Sequence, residues 1–285
     1  MRFDKSIHCK MISIDNLAFS YGSVPVLSNI SMTLEEGRIY GLLGENGVGK
    51  TTLLTLLAGL KKPQSGTILT EGVEPIKRLP SILEQQYYLP DEVIPRNMVA
   101  SVWAKSSGAF WQNFSFEKFL SIMKEFEMDP SMRMNSMSSG QLKKTYISFA
   151  LAANVKYLFM DEPTNGLDIP SKTQFRSAIT KYTADDSIIV ISTHQVRDLE
   201  NIIDPIIILD RQEVLLSADI ETITSKLYFD YGNVIKDNSL YSERLPGGFI
   251  QVYPNEEGLE SKVNIEALFN AVHSNKEFVK GLFKA

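Results

Sequence analysis

Apolar residues along this chain recur in two rhythms, and the changes of rhythm mark its organisation. From Met11 to about Thr70 short apolar runs dominate: ISIDNLAFSY, VLSNISMTL, RIYGLL and GTILTEG. Their length and β-branched content predict strands. Within this part only Lys50–Leu60 (KTTLLTLLAGL) has the three-to-four spacing of a helix. From about Asp91 to Ala153 the rhythm becomes helical, with many Met, Phe and Lys residues and few β-branched runs. Strand signals return at Tyr157–Met160 (YLFM) and Ser187–Ser192 (SIIVIS), continuous apolar runs suited to parallel strands buried on both faces. A helix is predicted between them, from about Pro170 to Lys181, with Pro170 suited to its first turn. Ile206–Leu209 and Glu213–Leu216 predict a short hairpin. Residues 218–285 alternate short helix and strand patterns and end in NIEALFNAV, whose apolar spacing is helical.

Two further features refine this outline. Trp103, Trp111 and the phenylalanines from Phe110 to Phe126 all fall in the helical middle segment. Aromatics of this size are more often core than stacking platform, so they predict the interior of a small helical subdomain. The most apolar stretches, such as Leu53–Leu60 and Ile206–Leu209, fall far short of the roughly 20 residues that span a bilayer.

The 285 residues suffice for one large domain and a small one. Hydrophobic residues make up 44% and charged ones 22%, the balance of a soluble globular protein. A net charge of −5 argues against a partner held by bulk positive charge, so no nucleic acid is expected. The single cysteine, Cys9, allows no intrachain disulfide and fits a reducing compartment. The opening MRFDKSIHCKM lacks the apolar core of a signal peptide. Residues 1–10 are therefore expected to be a disordered leader, with Met1 and Met11 both open as the native start.

The chemistry is concentrated in GENGVGKT, residues 44–51. Gly44, Glu45, Asn46, Gly47, Val48 and Gly49 form a loop whose backbone amides can wrap a phosphate chain. Lys50 can reach the outer phosphates, and the Thr51 hydroxyl can serve Mg²⁺. A strand before the loop and a helix N-terminus after it make an anion site, so a nucleoside triphosphate is the expected ligand. Phosphoryl transfer also needs an acidic metal partner and a group that orients water. YLFMDE offers both, with Asp161 for the metal and Glu162 as general base. The three histidines and one cysteine form no cluster of transition-metal spacing, and His8 and His273 read as surface residues.

Over Met11 to Leu216 the sequence resembles the ATP-binding subunit of ABC transporters. The resemblance rests on the phosphate loop, on MSSGQ (Ser138, Ser139, Gly140, Gln141) as the family signature, and on DEPTNGLD from Asp161 to Asp168. It implies that Tyr21 stacks on adenine and that Thr52 lines the nucleotide. It assigns Gln85, with Gln86 as the alternative, to sensing the metal and coupling to the membrane partner. Asp168 belongs to a nucleotide-facing loop, and His194 is the switch histidine at the terminal phosphate. Two departures stand out. Met137 and Ser139 replace the usual Leu and first Gly of the signature, and Glu84 stands where many members have proline before the glutamine.

The resemblance implies a P-loop NTPase fold of α/β class. It would have a β-rich subdomain, an inserted helical subdomain at about 91–153 within an ATPase domain at 11–217, and a small α+β extension at 218–285. It also implies ATP and Mg²⁺ as ligands and a second ATPase subunit, another copy in a homodimer or a sister subunit, sharing two ATP molecules head to tail. Separate multi-span permease subunits would hold the chain on the cytoplasmic face of the membrane. NIEALFNAV resembles the tail helix of exporter-type subunits. A soluble ABC-type ATPase of repair, translation or metal-cluster assembly is the alternative.

Overall fold

The first strand-rich stretch folds as an antiparallel sheet of β1 (Met11–Tyr21), β2 (Val24–Glu35) and β4 (Ser65–Thr70), in the order β2-β1-β4. The computed structural model describes residues 11–283, so the expected leader, Cys9 and His8 lie outside the described residues. Between β2 and β4 run β3 (Arg38–Leu43) and helix α1 (Lys50–Leu57). The helix stops three residues earlier than its apolar pattern predicts, because Gly59 adopts a left-handed φ of 65° beyond the Ala58 cap.

Next come the single-turn α2 (Pro80–Leu83) and strand β5 (Gln86–Leu89). The middle segment holds α3 (Ala100–Gly108), α4 (Phe116–Glu125) and α5 (Ser139–Ala152). Helix was expected from Asp91, yet α3 begins only at Ala100. Pro95 disfavours helix before it, and Val99 pairs with Arg133 in an isolated bridge. The chain continues through β6 (Tyr157–Asp161), α6 (Ile169–Tyr182), β7 (Ile188–Thr193) and the antiparallel hairpin β8 (Ile206–Asp210) and β9 (Glu213–Ala218). The last part contains α7 (Ile220–Lys226), a second antiparallel sheet of β10 (Leu227–Gly232), β11 (Tyr241–Leu245) and β12 (Gly248–Pro254), then α8 (Ile265–Ser274) and α9 (Lys276–Phe283).

The frame of the molecule is a six-stranded sheet in the order β5-β6-β7-β3-β8-β9, parallel except for β9. Its parallel strands are mostly apolar because both faces are covered, with polar residues concentrated at their ends. Tyr157 and Phe159 of β6 enter the cluster under α1 and β1, while Leu158 and Met160 enter the one beneath the helical segment. That alternation follows from the period of two along a strand. Parallel strands also send all their carboxyl ends to one edge. Gly44, Glu162 and His194, each just beyond a strand end, therefore come together in space.

Phe149 anchors the helical segment to this frame. Buried at 1% exposure, its ring lies 4.7 Å from Trp103, 5.2 Å from Phe114 and 5.5 Å from both Tyr87 and Trp111. The aromatics of this segment are thus mostly interior, with Phe110 the exception at 77% exposure. Phe149→Ala would leave a cavity among four rings, so an unfolding free energy lower by about 3–5 kcal/mol is expected from urea titration.

Candidate functional site

The loop after β3 owes its path to two glycines. A Cβ on Gly44 would meet the Leu209 carbonyl at 2.6 Å, and Gly49 sits at φ 114° against the Leu27 and Val26 side chains. Neither position accepts a side chain without displacement. The loop closes on Lys50, whose Nζ donates to the carbonyls of Gly44 at 2.8 Å and Glu45 at 3.1 Å. Glu45, Asn46 and Gly47 face outward, while Val48 packs beside the core cluster under α1. Tyr21, half-exposed at the end of β1, places its hydroxyl 3.3 Å from the Thr52 hydroxyl. One face of its ring meets Lys61 Nζ at 4.9 Å.

At the end of β6, Asp161 is 2% exposed and accepts from three hydroxyls. Thr51 donates to Oδ2 at 2.6 Å, Ser192 to Oδ1 at 2.5 Å, and Tyr88 to Oδ2 at 3.4 Å. Burial and then the Asp161 charge push the Tyr88 phenol well above its ordinary pKa, which keeps it a donor. Glu162 turns out of the strand with φ 44°, and its N–H donates to the carbonyl and hydroxyl of Ser192. This left-handed turn directs its carboxylate to the next strand end. His194 Nδ1 lies 2.9 Å from Oε1 and the His194 N–H donates to Oε2 at 3.3 Å. Lys50 Nζ is 3.4 Å from Oε1. The phosphate loop, Asp161, Glu162 and His194 thus form one constellation.

The donor set suits Mg²⁺. A threonine hydroxyl and a buried carboxylate are hard oxygen ligands, and no cluster of three or more His, Cys, Asp or Glu side chains exists among the described residues. Mg²⁺ characteristically takes one or two carboxylate ligands beside waters and substrate phosphates.

The signature lies apart from this constellation. Ser138 caps α5 by accepting from the Gln141 N–H at 3.3 Å, and the Gln141 side chain accepts from the Ser138 N–H at 3.0 Å. This reciprocal capping box holds the helix N-terminus rigid. Ser138 and Ser139 are exposed, and among the described residues no hydrogen bond joins them to residues 44–52. Asp168 caps α6 by accepting from the Ser171 N–H at 3.0 Å, and the Ser171 hydroxyl first and this N–H second keep its carboxyl below the usual range.

Two expectations need correction. Gln85 is not near the metal side chains. Its carbonyl accepts from the Tyr157 N–H at the amino end of β6, and its amide donates to the Ser81 carbonyl at 2.7 Å. Asp161 is at the other end of that strand, about 13 Å away at the usual strand rise. Gln86 fares no better, since its amide is buried on the Ala58 carbonyl at 2.9 Å. The register Leu89↔Met160 brings Pro90 and Asp91 to the level of Asp161 instead. The Leu-Pro pair at 89–90 carried that signal. His273, expected at the surface, is half-buried with its ring 4.3 Å from Phe269. Sequence reasoning also missed Ser192 and Tyr88, which look like ordinary strand residues.

Residues 27–165 match the ABC transporter family model. An ABC transporter ATP-binding protein of Methanocaldococcus jannaschii is 30% identical over 238 residues, spanning 81% of this chain and 88% of the relative. The chain belongs to the ABC transporter ATP-binding family. A lantibiotic transport ATP-binding protein of Streptococcus pyogenes is 28% identical over 73% of this chain and 91% of its own length. The solved ATP-binding subunit of an ABC transporter shares the fold, with a TM-score of 0.68 at 21% identity over 75% of this chain and 91% of that one. As an ABC ATP-binding subunit the protein binds ATP and hydrolyses it to power transport. Subunits of this family dimerise and work with membrane permeases. Among the described residues no helix is long and apolar enough to cross a membrane.

Proposed function

We propose that two copies of this chain close head to tail over two ATP molecules and drive outward transport through separate multi-span permease subunits. The carrying observation is the split arrangement. One constellation holds Gly44–Thr51, Asp161, Glu162 and His194, while Ser138 and Ser139 are exposed at a capped helix N-terminus with Gly140 half-buried beside them. An exposed helix start is an anion site, so a signature presented to a partner's terminal phosphate completes a site that one chain lacks.

In this reading Lys50 and the loop amides hold the phosphates, and Tyr21 with Thr52 lines the nucleoside side. Thr51 and Asp161 hold Mg²⁺, which when bound draws charge off the phosphate oxygens. Glu162 takes a proton from the attacking water, and His194 fixes the Glu162 carboxylate and faces the leaving phosphate. The ATPase unit is 11–217, its helical subdomain 91–153 meets the permease, and 218–285 is an accessory region. On this reading the chain sits on the cytoplasmic face of the membrane. Outward direction is supported by the resemblance of the α8 sequence NIEALFNAV to the tail helix of exporter-type subunits.

Tagged protein purified from gently solubilised membranes is expected to carry a multi-span membrane protein in stoichiometric amount. Recovery from the soluble fraction with no membrane partner would instead favour the soluble ATPase reading.

A further inference from the structure

The histidine beyond β7 is approached from behind by two residues outside the catalytic constellation. Gln195 Nε2 lies 3.4 Å from His194 Nε2, and Gln195 Oε1 accepts from Lys172 Nζ at 2.8 Å. Lys172 belongs to α6, and its ammonium is also 2.7 Å from Asp198 Oδ2. The backbone of Gln195 is pinned as well. Its N–H donates to the Thr193 hydroxyl at 2.9 Å, and its carbonyl accepts from the Asp198 N–H at 3.1 Å. Donor and acceptor chemistry then places the protons along this row. An ammonium only donates, so the amide turns its oxygen to Lys172 and its NH₂ to His194. The NH₂ also only donates, so His194 Nε2 is the bare, accepting nitrogen. The proton of the neutral ring is therefore on Nδ1, the nitrogen 2.9 Å from Glu162 Oε1.

We propose that Gln195, itself oriented by Lys172, is a positioning residue that keeps the His194 proton on Nδ1, facing Glu162. The inference rests on the reading of Glu162 as general base and adds the residues that set its histidine. A proton on Nδ1 gives the Glu162 carboxylate a donor. The other tautomer would set a nitrogen lone pair against a carboxylate oxygen at 2.9 Å and drive Glu162 from its place beside Lys50. Partners that fix a histidine's tautomer and ring orientation act in this way at many reactive sites. The Lys172 charge is held in turn by Asp198, whose side chain is 13% exposed, so the row starts from a fixed ion pair and not from a free surface lysine. Lys172 and Gln195 act through His194 and not on ATP.

The sequence has three histidines, so ¹⁵N-histidine labelling of the full chain yields a simple spectrum in which two-bond couplings show which nitrogen of each ring carries a proton. His194→Ala identifies the His194 signals. Wild type without nucleotide is expected to carry that proton on Nδ1. Gln195→Glu can still accept from Lys172 and should keep the wild-type melting temperature, yet its carboxylate has no N–H and should draw a proton onto Nε2. Gln195→Leu leaves the pair of Lys172 and Asp198 intact. It should lower kcat for ATP hydrolysis about 10- to 100-fold at unchanged KM, the usual cost of losing a group that fixes a histidine's tautomer. Lys172→Met should lower kcat likewise, and Lys172→Arg should restore it. A wild-type His194 with its proton on Nε2 would overturn the proposal, as would Gln195→Leu with wild-type kcat or Gln195→Glu with Nε2 still bare. If Glu162→Gln hydrolyses ATP as fast as wild type, the general-base reading fails instead, and the ring-nitrogen spectra still decide the His194 tautomer by themselves.

Discussion

Glu162→Gln is expected to bind Mg-ATP as tightly as wild type while turning it over about 10²- to 10⁴-fold more slowly, the usual contribution of a positioned general base. The amide is nearly the same shape as the carboxylate and can still accept from the His194 N–H, so the turn at Glu162 should survive. What it loses is a basic oxygen next to Lys50 and His194. Binding by equilibrium titration and phosphate release in a single turnover separate the two effects. Turnover at the wild-type rate would remove Glu162 from the reaction.

Lys50→Ala acts earlier. Nζ is buried and already makes two hydrogen bonds to the loop's own carbonyls, so the ammonium braces the loop as well as offering charge. Hydrogen bonds to charged groups contribute about 1.5–3 kcal/mol, which converts to ATP affinity weaker by about tenfold to a hundredfold. Fluorescent nucleotide titration reads the change directly. Unaltered affinity in a folded Lys50→Ala protein would undercut the phosphate-loop assignment.

These residues were legible because their chemistry is local. A phosphate loop needs its glycines, lysine and threonine in fixed order, and an apolar strand ending in Asp-Glu is contiguous in the chain. Five of the six strands of the central sheet were equally plain, since burial leaves apolar runs such as YLFM and SIIVIS, whereas the short β5, QYYL, gave no strand signal of its own. What escaped depended on register and on distant partners. Gln85 and Asp91 lie in one short stretch, and only the pairing of β5 with β6 decides which of them reaches the site. Ser192 and Tyr88 acquire their roles only once Asp161 stands between them. Asp168 was read for nucleotide, whereas its carboxylate caps α6. The break before α3 similarly reflects Pro95 and a bridge between residues 99 and 133 that no local pattern announces.

The central claim is that this nucleotide site is completed by a second copy. Light scattering on purified Glu162→Gln, with and without saturating Mg-ATP, tests it most directly. The account predicts a monomer that doubles in mass when Mg-ATP is added, and no doubling once Ser138→Arg is introduced into the same chain. A protein that binds Mg-ATP yet keeps its monomer mass at every concentration would contradict it.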